Sequence, residues 1–114
     1  MKLDSYYLFV KAFGSPVRLQ ILKLLEKSPK AVKEICEELN LEQSKVSHNL
    51  KCLSDCGFIK SRREGRKKIY YLNKEVVIPL FKIIDRHILK YKNHLAKCGI
   101  IKGDNEYGRK NREE

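Results

Sequence analysis

The sequence predicts a mainly α chain carrying one β-hairpin, an α+β class, on three observations. Apolar residues recur at helical spacing in four successive segments, punctuated at Gly14, Ser28-Pro29, Asn40-Leu41 and Gly57. From Phe58 to Leu72 the pattern changes to extended, rich in Ile and Tyr around a turn at Gly65. Beyond Asn73 a helical period resumes and continues to Leu95.

Each element has a local reason. Over residues 2 to 13, Leu3, Tyr6, Tyr7, Phe9, Val10 and Phe13 are spaced for a helix that Gly14 ends. Ser15 followed by Pro16 is a start signal, a capping hydroxyl before a proline at the first helical position, with Val17, Leu19, Ile21, Leu22, Leu24 and Leu25 behind it. This helix reaches about Lys27. Ser28-Pro29 breaks it, and AVKEICEELN follows with Val32, Ile35, Cys36 and Leu39 at helical spacing. After the turn, a helix from about Glu42 to Cys56 turns Val46, Leu50 and Leu53 inward, with Gly57 as its stop. Two helices joined by so short a turn form a helix-turn-helix. The hairpin runs from Phe58 to Arg62 and from Lys68 to Leu72. The last long helix carries Val77, Leu80, Phe81, Ile84, Ile88, Tyr91 and Leu95, with Pro79 placing its regular start near Val77 or Ile78. The expected domain is 1–102, followed by a polar, disordered tail over 103–114.

The 114 residues suit one domain, with 25 Lys plus Arg against 14 Asp plus Glu and a formal charge of +11. Segment 103–114 holds three of the bases and four of the acids, so the remainder stands at 22 against 10, or +12. The charge therefore belongs to the folded part and points to a polyanionic partner. No apolar run matches a signal peptide or membrane span, so a cytoplasmic protein is expected, with its four cysteines reduced. No phosphate-cradling glycine loop, carboxylate pair or nucleophile triad has a recognisable signature, and an enzyme is not expected.

On a helical wheel, Ser44, Ser47, His48 and Lys51 project opposite the inner face of the second helix of the pair, and Gln43 lies near its start. Such a helix fits the major groove of double-stranded DNA, where base edges present distinct donors and acceptors. Arg62, Arg63, Arg66, Lys67 and Lys68 on the hairpin would reach flanking phosphates or a minor groove. A run of bases usually only solvates a surface. Here it directly follows a helix-turn-helix, and the coincidence carries the DNA-binding expectation. A nonspecific nucleic-acid-binding protein would use the same surface.

The segments SPVRLQILKLL (15 to 25), EICEELNLEQSKVSHNLKCLSDCGFI (34 to 59) and EGRKKIYYL (64 to 72) resemble the ArsR/SmtB winged helix-turn-helix repressors. The resemblance covers most of residues 5 to 97. It implies a repressor that binds an operator as a homodimer joined through its first and last helices, in keeping with the apolar stripe of the 77 to 95 helix. Asn49 departs from the histidine common at its position in the family.

Members of such a family commonly release DNA on binding a metal, through ligands that differ between groups. A Cys-Val-Cys element would fall at Ala31, Val32 and Lys33 and is missing; Cys36, nearby, reads as a small core residue. A zinc or cobalt set on the last helix would fall at Lys74, Val76, His87 and Lys90, of which only His87 could ligate. Cys52 and Cys56 remain, one helical turn apart on a third face, clear of the DNA-facing side chains and of the core centre. Cβ atoms about 5–6 Å apart are too distant for a disulfide without unwinding, whereas two sulfurs about 2.3 Å from one ion lie within reach. The C-L-x-x-C-G pattern is similar to that of CmtR-type cadmium and lead sensors, which implies Cys98 of the partner subunit as a third ligand. Three thiolates would favour a soft ion, Cd, Pb or As; His94 could complete a zinc site. Incidental thiols, or a metal-independent or thiol-redox-responsive repressor, stand as alternatives.

Overall fold

The computed structural model describes residues 2–103. In chain order these form α1 (Leu3–Phe13), α2 (Pro16–Lys27), β1 (Lys30–Ala31), α3 (Val32–Leu39), α4 (Gln43–Asp55), β2 (Ile59–Glu64), β3 (Lys67–Leu72), α5 (Lys74–Lys97) and α6 (Gly99–Gly103). The chain divides into two compact units at Val77 and Ile78. The first unit holds everything up to the opening residues of α5, and the second holds the rest of α5 and α6.

Local chemistry sets the helix ends. The Ser15 side chain accepts from the Arg18 N–H at 3.4 Å, and Pro16 opens α2 where its missing N–H costs nothing. At the start of α3 the Glu34 carboxylate accepts from the Ala31 N–H at 3.0 Å. Asn40 then takes the left-handed conformation, φ 54°, and its N–H returns to the Cys36 carbonyl, which ends α3 and makes the turn. Helix α4 stops at Asp55, so Cys56 is its cap and Gly57, with φ 82°, redirects the chain into β2.

The core of the first unit is the apolar set expected of a helix-turn-helix. Ile21 and Leu22 of α2, Ile35 of α3, and Val46, Leu50 and Leu53 of α4 are fully buried, as are Phe58 and Val77. The rings of Phe9, Phe13 and Phe58 pack with centroids 5.1–6.3 Å apart, which fastens α1 to the start of the hairpin.

The sheet has the order β1-β3-β2 and is antiparallel throughout. Its hairpin is longer than the sequence indicated: β2 extends to Glu64 and β3 begins at Lys67, leaving only Gly65 and Arg66 in the turn. Gly65 has φ 63°, which a two-residue hairpin turn of this hand demands. The two-residue β1 was not expected. It exists because the edge of β3 pairs Lys30 with Tyr70 and Ala31 with Ile69.

Two further corrections concern the C-terminal part. Helix α5 begins at Lys74, earlier than Pro79 led us to expect, because the Asn73 carbonyl accepts from the N–H groups of both Val76 and Val77. Pro79 then sits inside the helix with its ring exposed. Cys98 does not close the last helix but links α5 to α6. Apart from Gly103, the polar segment 103–114 lies outside the described residues. Among the described residues no helix is long and apolar enough to cross a membrane.

Candidate nucleic-acid interface and thiol pair

Burying Val46, Leu50 and Leu53 turns the opposite face of α4 outward. Gln43, Ser44, Ser47, His48 and Lys51 are all exposed along it. Lys51 also reaches Asp55 one turn on, at 3.2 Å, an exposed pair that a stronger anion can displace.

The hairpin divides the five expected bases between two faces. Strand register pairs Ser61 with Tyr70 and Arg63 with Lys68, alternating with Lys60–Tyr71, Arg62–Ile69 and Glu64–Lys67. Arg63 and Lys68 therefore share one face, and Arg62, Glu64 and Lys67 the other. Arg62 is committed to Glu64, N to O 2.7 Å, and lies 5.4 Å from the Tyr71 ring centre. Arg63 and Lys68 face each other across the strands and, among the described residues, neither is in an ion pair; Lys68 lines a cleft with Glu34 and Glu37 and stands 5.4 Å from the centre of the Tyr70 ring. Like charges placed directly opposite destabilise a hairpin. Arg66 is exposed in the turn.

Cys52 and Cys56 are brought together on α4. They lie one helical turn apart, Cys52 half-buried and Cys56 exposed at the helix cap. Partial burial pushes the Cys56 thiol above its ordinary value, and the neighbouring Cys52 and then Asp55 add to this, while Arg18 opposes. Cys98 belongs to the second unit, where its N–H bonds the Leu95 carbonyl at 3.2 Å. His94, a turn earlier, packs against Tyr91, whose ring also meets His87. Among the described residues no three His, Cys, Asp or Glu side chains of one chain converge on a metal position. Two soft donors at one helical turn are nevertheless a donor set suited to a thiophilic ion.

Asn49 stood out in the sequence only as a departure from the family's histidine, and what it does was missed. Asn49 is 93% buried and hydrogen-bonded at both ends of its amide: its Oδ1 accepts from Arg18 at 3.1 Å and its Nδ2 donates to the Lys45 carbonyl at 2.8 Å. Arg18 also donates to the Ala12 and Lys11 carbonyls at the end of α1. The signal in the sequence was an amide at a position on the edge of an apolar stripe. Its partner, 31 residues away, was not legible.

A tight two-helix turn, an outward polar face on its second helix and a basic hairpin beside it define a winged helix-turn-helix DNA-binding domain. Residues 15–61 match the bacterial regulatory protein, arsR family. The chain is 42% identical over 76 residues to the HTH-type transcriptional regulator MJ1325 of Methanocaldococcus jannaschii, covering 66% of this chain and 85% of that one. It is 34% identical over 67 residues to a probable mercury resistance operon repressor of Streptomyces lividans, spanning 59% of this chain and only 54% of the relative. Among solved structures, the homodimeric winged helix-turn-helix DNA-binding domain of Mb0332 from Mycobacterium bovis superposes with a TM-score of 0.72 at 32% identity, over 81% of this chain and 85% of that one. The protein belongs to the ArsR family of transcriptional regulators.

Proposed function

We propose that the protein is a homodimeric repressor that reads an operator with α4, steadies it with the wing, and releases it when a thiophilic ion occupies Cys52 and Cys56. The observation that carries the DNA half is the continuous set of outward groups: Gln43, Ser44, Ser47, His48 and Lys51 at base edges, with Arg63, Lys68, Arg66, Lys67 and Arg62 on phosphate. Dimerisation is supported by α1, whose Leu3, Tyr6, Tyr7, Leu8 and Val10 are all more than half exposed, and by Ile83, Ile88, Leu89 and Leu95 on α5. Apolar surface of that extent is a protein interface in waiting. The dimeric state of the Mycobacterium bovis relative agrees with it. The structural domain is proposed to be 1–102, with 103–114 as a tail outside it.

The metal half rests on the thiol pair. Two thiols one helical turn apart supply two soft ligands from one chain, and a third must come from elsewhere; we assign it to the partner subunit's Cys98. Cd, Pb, As or Zn are the ions this set would take, and when bound such an ion supplies charge and a fixed tetrahedral or trigonal anchor at the end of α4. The mercury-resistance relative supports an ion of this soft class. Because binding is reciprocal, DNA weakens metal binding by the factor with which metal weakens DNA binding.

The test is an anisotropy titration of a labelled operator duplex, obtained by selection from random sequence, against the reduced protein with and without Cd(II). Wild type should release DNA as cadmium is added, and a Cys52→Ser variant should hold it. Equal release by both would sink the thiol site; no release by wild type would leave a repressor that senses no metal.

A further inference from the structure

A buried asparagine on the recognition helix needs a reason. At position 49 a leucine would extend the apolar stripe without any polar group to satisfy, yet the chain places an amide there and gives both its oxygen and its nitrogen a partner. Asn49 is too deeply buried to meet a base, so its role is directed inward. Its oxygen is held by Arg18, whose other N–H groups hold the last carbonyls of α1, where a positive charge also complements the helix end. One guanidinium therefore joins α1, α2 and α4. Charge-assisted bonds of this kind are directional and are roughly twice as strong as neutral ones. The apolar contacts of α4 can slide or rotate by small amounts, whereas this fork has one geometry.

The thiol pair lies on the same flank. Asn49, Cys52 and Cys56 follow one another at three- and four-residue steps along α4, which puts the pair within two turns of the residue that Arg18 holds. Anything that adds charge at the pair, or tightens the last turn of α4 around it, acts on the residue that sets the helix.

We propose that Arg18 is a positioning residue for DNA recognition: through Asn49 it fixes the recognition helix against α1, and through the same tie an occupant of Cys52 and Cys56 changes DNA affinity. The second half rests on the metal reading above; the first does not. Neither residue touches DNA, so each acts by setting the angle from which Ser44, Ser47 and His48 reach the groove.

Operator binding by the full chain, reduced and at one salt concentration, tests it with three variants. Asn49→Leu removes the acceptor, Arg18→Lys keeps the charge but loses the fork, and Asn49→Asp keeps the acceptor as a control for burial. Metal-free affinity should fall about tenfold or more in the first two and stay within about threefold in the third. A residue with a merely structural role would lower the thermal midpoint without this split between leucine and aspartate. With Cd(II), whose binding is followed independently by thiolate-to-metal absorbance, Arg18→Lys should bind the ion yet lose most of the cadmium effect on DNA. Operator affinities of Asn49→Leu and Arg18→Lys within about twofold of wild type would overturn the proposal. If wild type shows no cadmium effect, the coupling half falls together with the sensing reading, and the metal-free affinities alone decide the positioning half.

Discussion

Replacing Arg63 and Lys68 together by glutamine should weaken DNA binding while stabilising the protein. Both expectations come from the same geometry. The two bases oppose each other across β2 and β3 and, among the described residues, neither is in an ion pair, whereas Arg62 is already bonded to Glu64 at 2.7 Å. Each phosphate contact contributes about 0.9 to the slope of log affinity against log salt, so losing two per wing lowers the slope by about 1.8, or about 3.6 for the two wings of a dimer. Between 50 and 200 mM salt, that difference removes roughly a hundredfold of the wild type's salt sensitivity. In the free protein, relief of an opposed like-charge pair contributes about 0.2–1 kcal/mol, and the thermal midpoint should rise by about 1–4 °C. Anisotropy titrations at four salt concentrations measure the slope, and a melt followed by circular dichroism measures the midpoint. Arg62→Gln, tested alongside, should change the slope by less than Arg63→Gln. An unchanged slope in the double variant, or an Arg62 effect as large as that of Arg63, would refute the division of the wing into an internally neutralised face and a free one.

Three further expectations follow from the core, the cap and the thiols. Leu50→Ala, at a position with no solvent exposure, should cost about 2–5 kcal/mol in urea unfolding, and a loss below 1 kcal/mol would contradict its place at the centre of the first unit. Ser15→Ala should cost about 0.5–1 kcal/mol, the low end for an N-cap because the bond it removes is long, 3.4 Å. The raised Cys56 pKa means that the folded state favours the neutral thiol. Its contribution to stability is complete below the ordinary thiol range of about 8–9 and is lost as pH rises through the higher folded value. Iodoacetamide should accordingly label Cys56 with a pH midpoint that falls in Cys52→Ala; a midpoint indifferent to Cys52 would show that the two thiols do not interact.

Elements governed by neighbouring residues were legible in the sequence. Ser15-Pro16 announced α2, Gly57 the end of α4, and the spacing of Val46, Leu50 and Leu53 both the buried face of the recognition helix and, by subtraction, its outward one. What depended on distant partners was not. β1 has only two residues and no pattern of its own; the free edge of β3 makes it a strand. Pro79 misplaced the start of α5, since a proline on the exposed side of a helix forfeits one bond without stopping the turns before it. The wing bases read as equivalent until strand register separated Arg63 and Lys68 from Arg62. Arg18 looked like a polar gap in an apolar repeat, because its partner Asn49 stands 31 residues away and no local pattern joins the two.

Whether this surface reads sequence is decided by a competition measurement. A labelled duplex carrying the selected operator is bound at 150 mM salt and challenged with increasing bulk DNA. Displacement should require roughly a thousandfold or greater excess of competing sites, the ratio typical of a specific regulator. Displacement by bulk DNA at near-equal site concentration would contradict it and leave a basic protein that binds nucleic acid without regard to sequence.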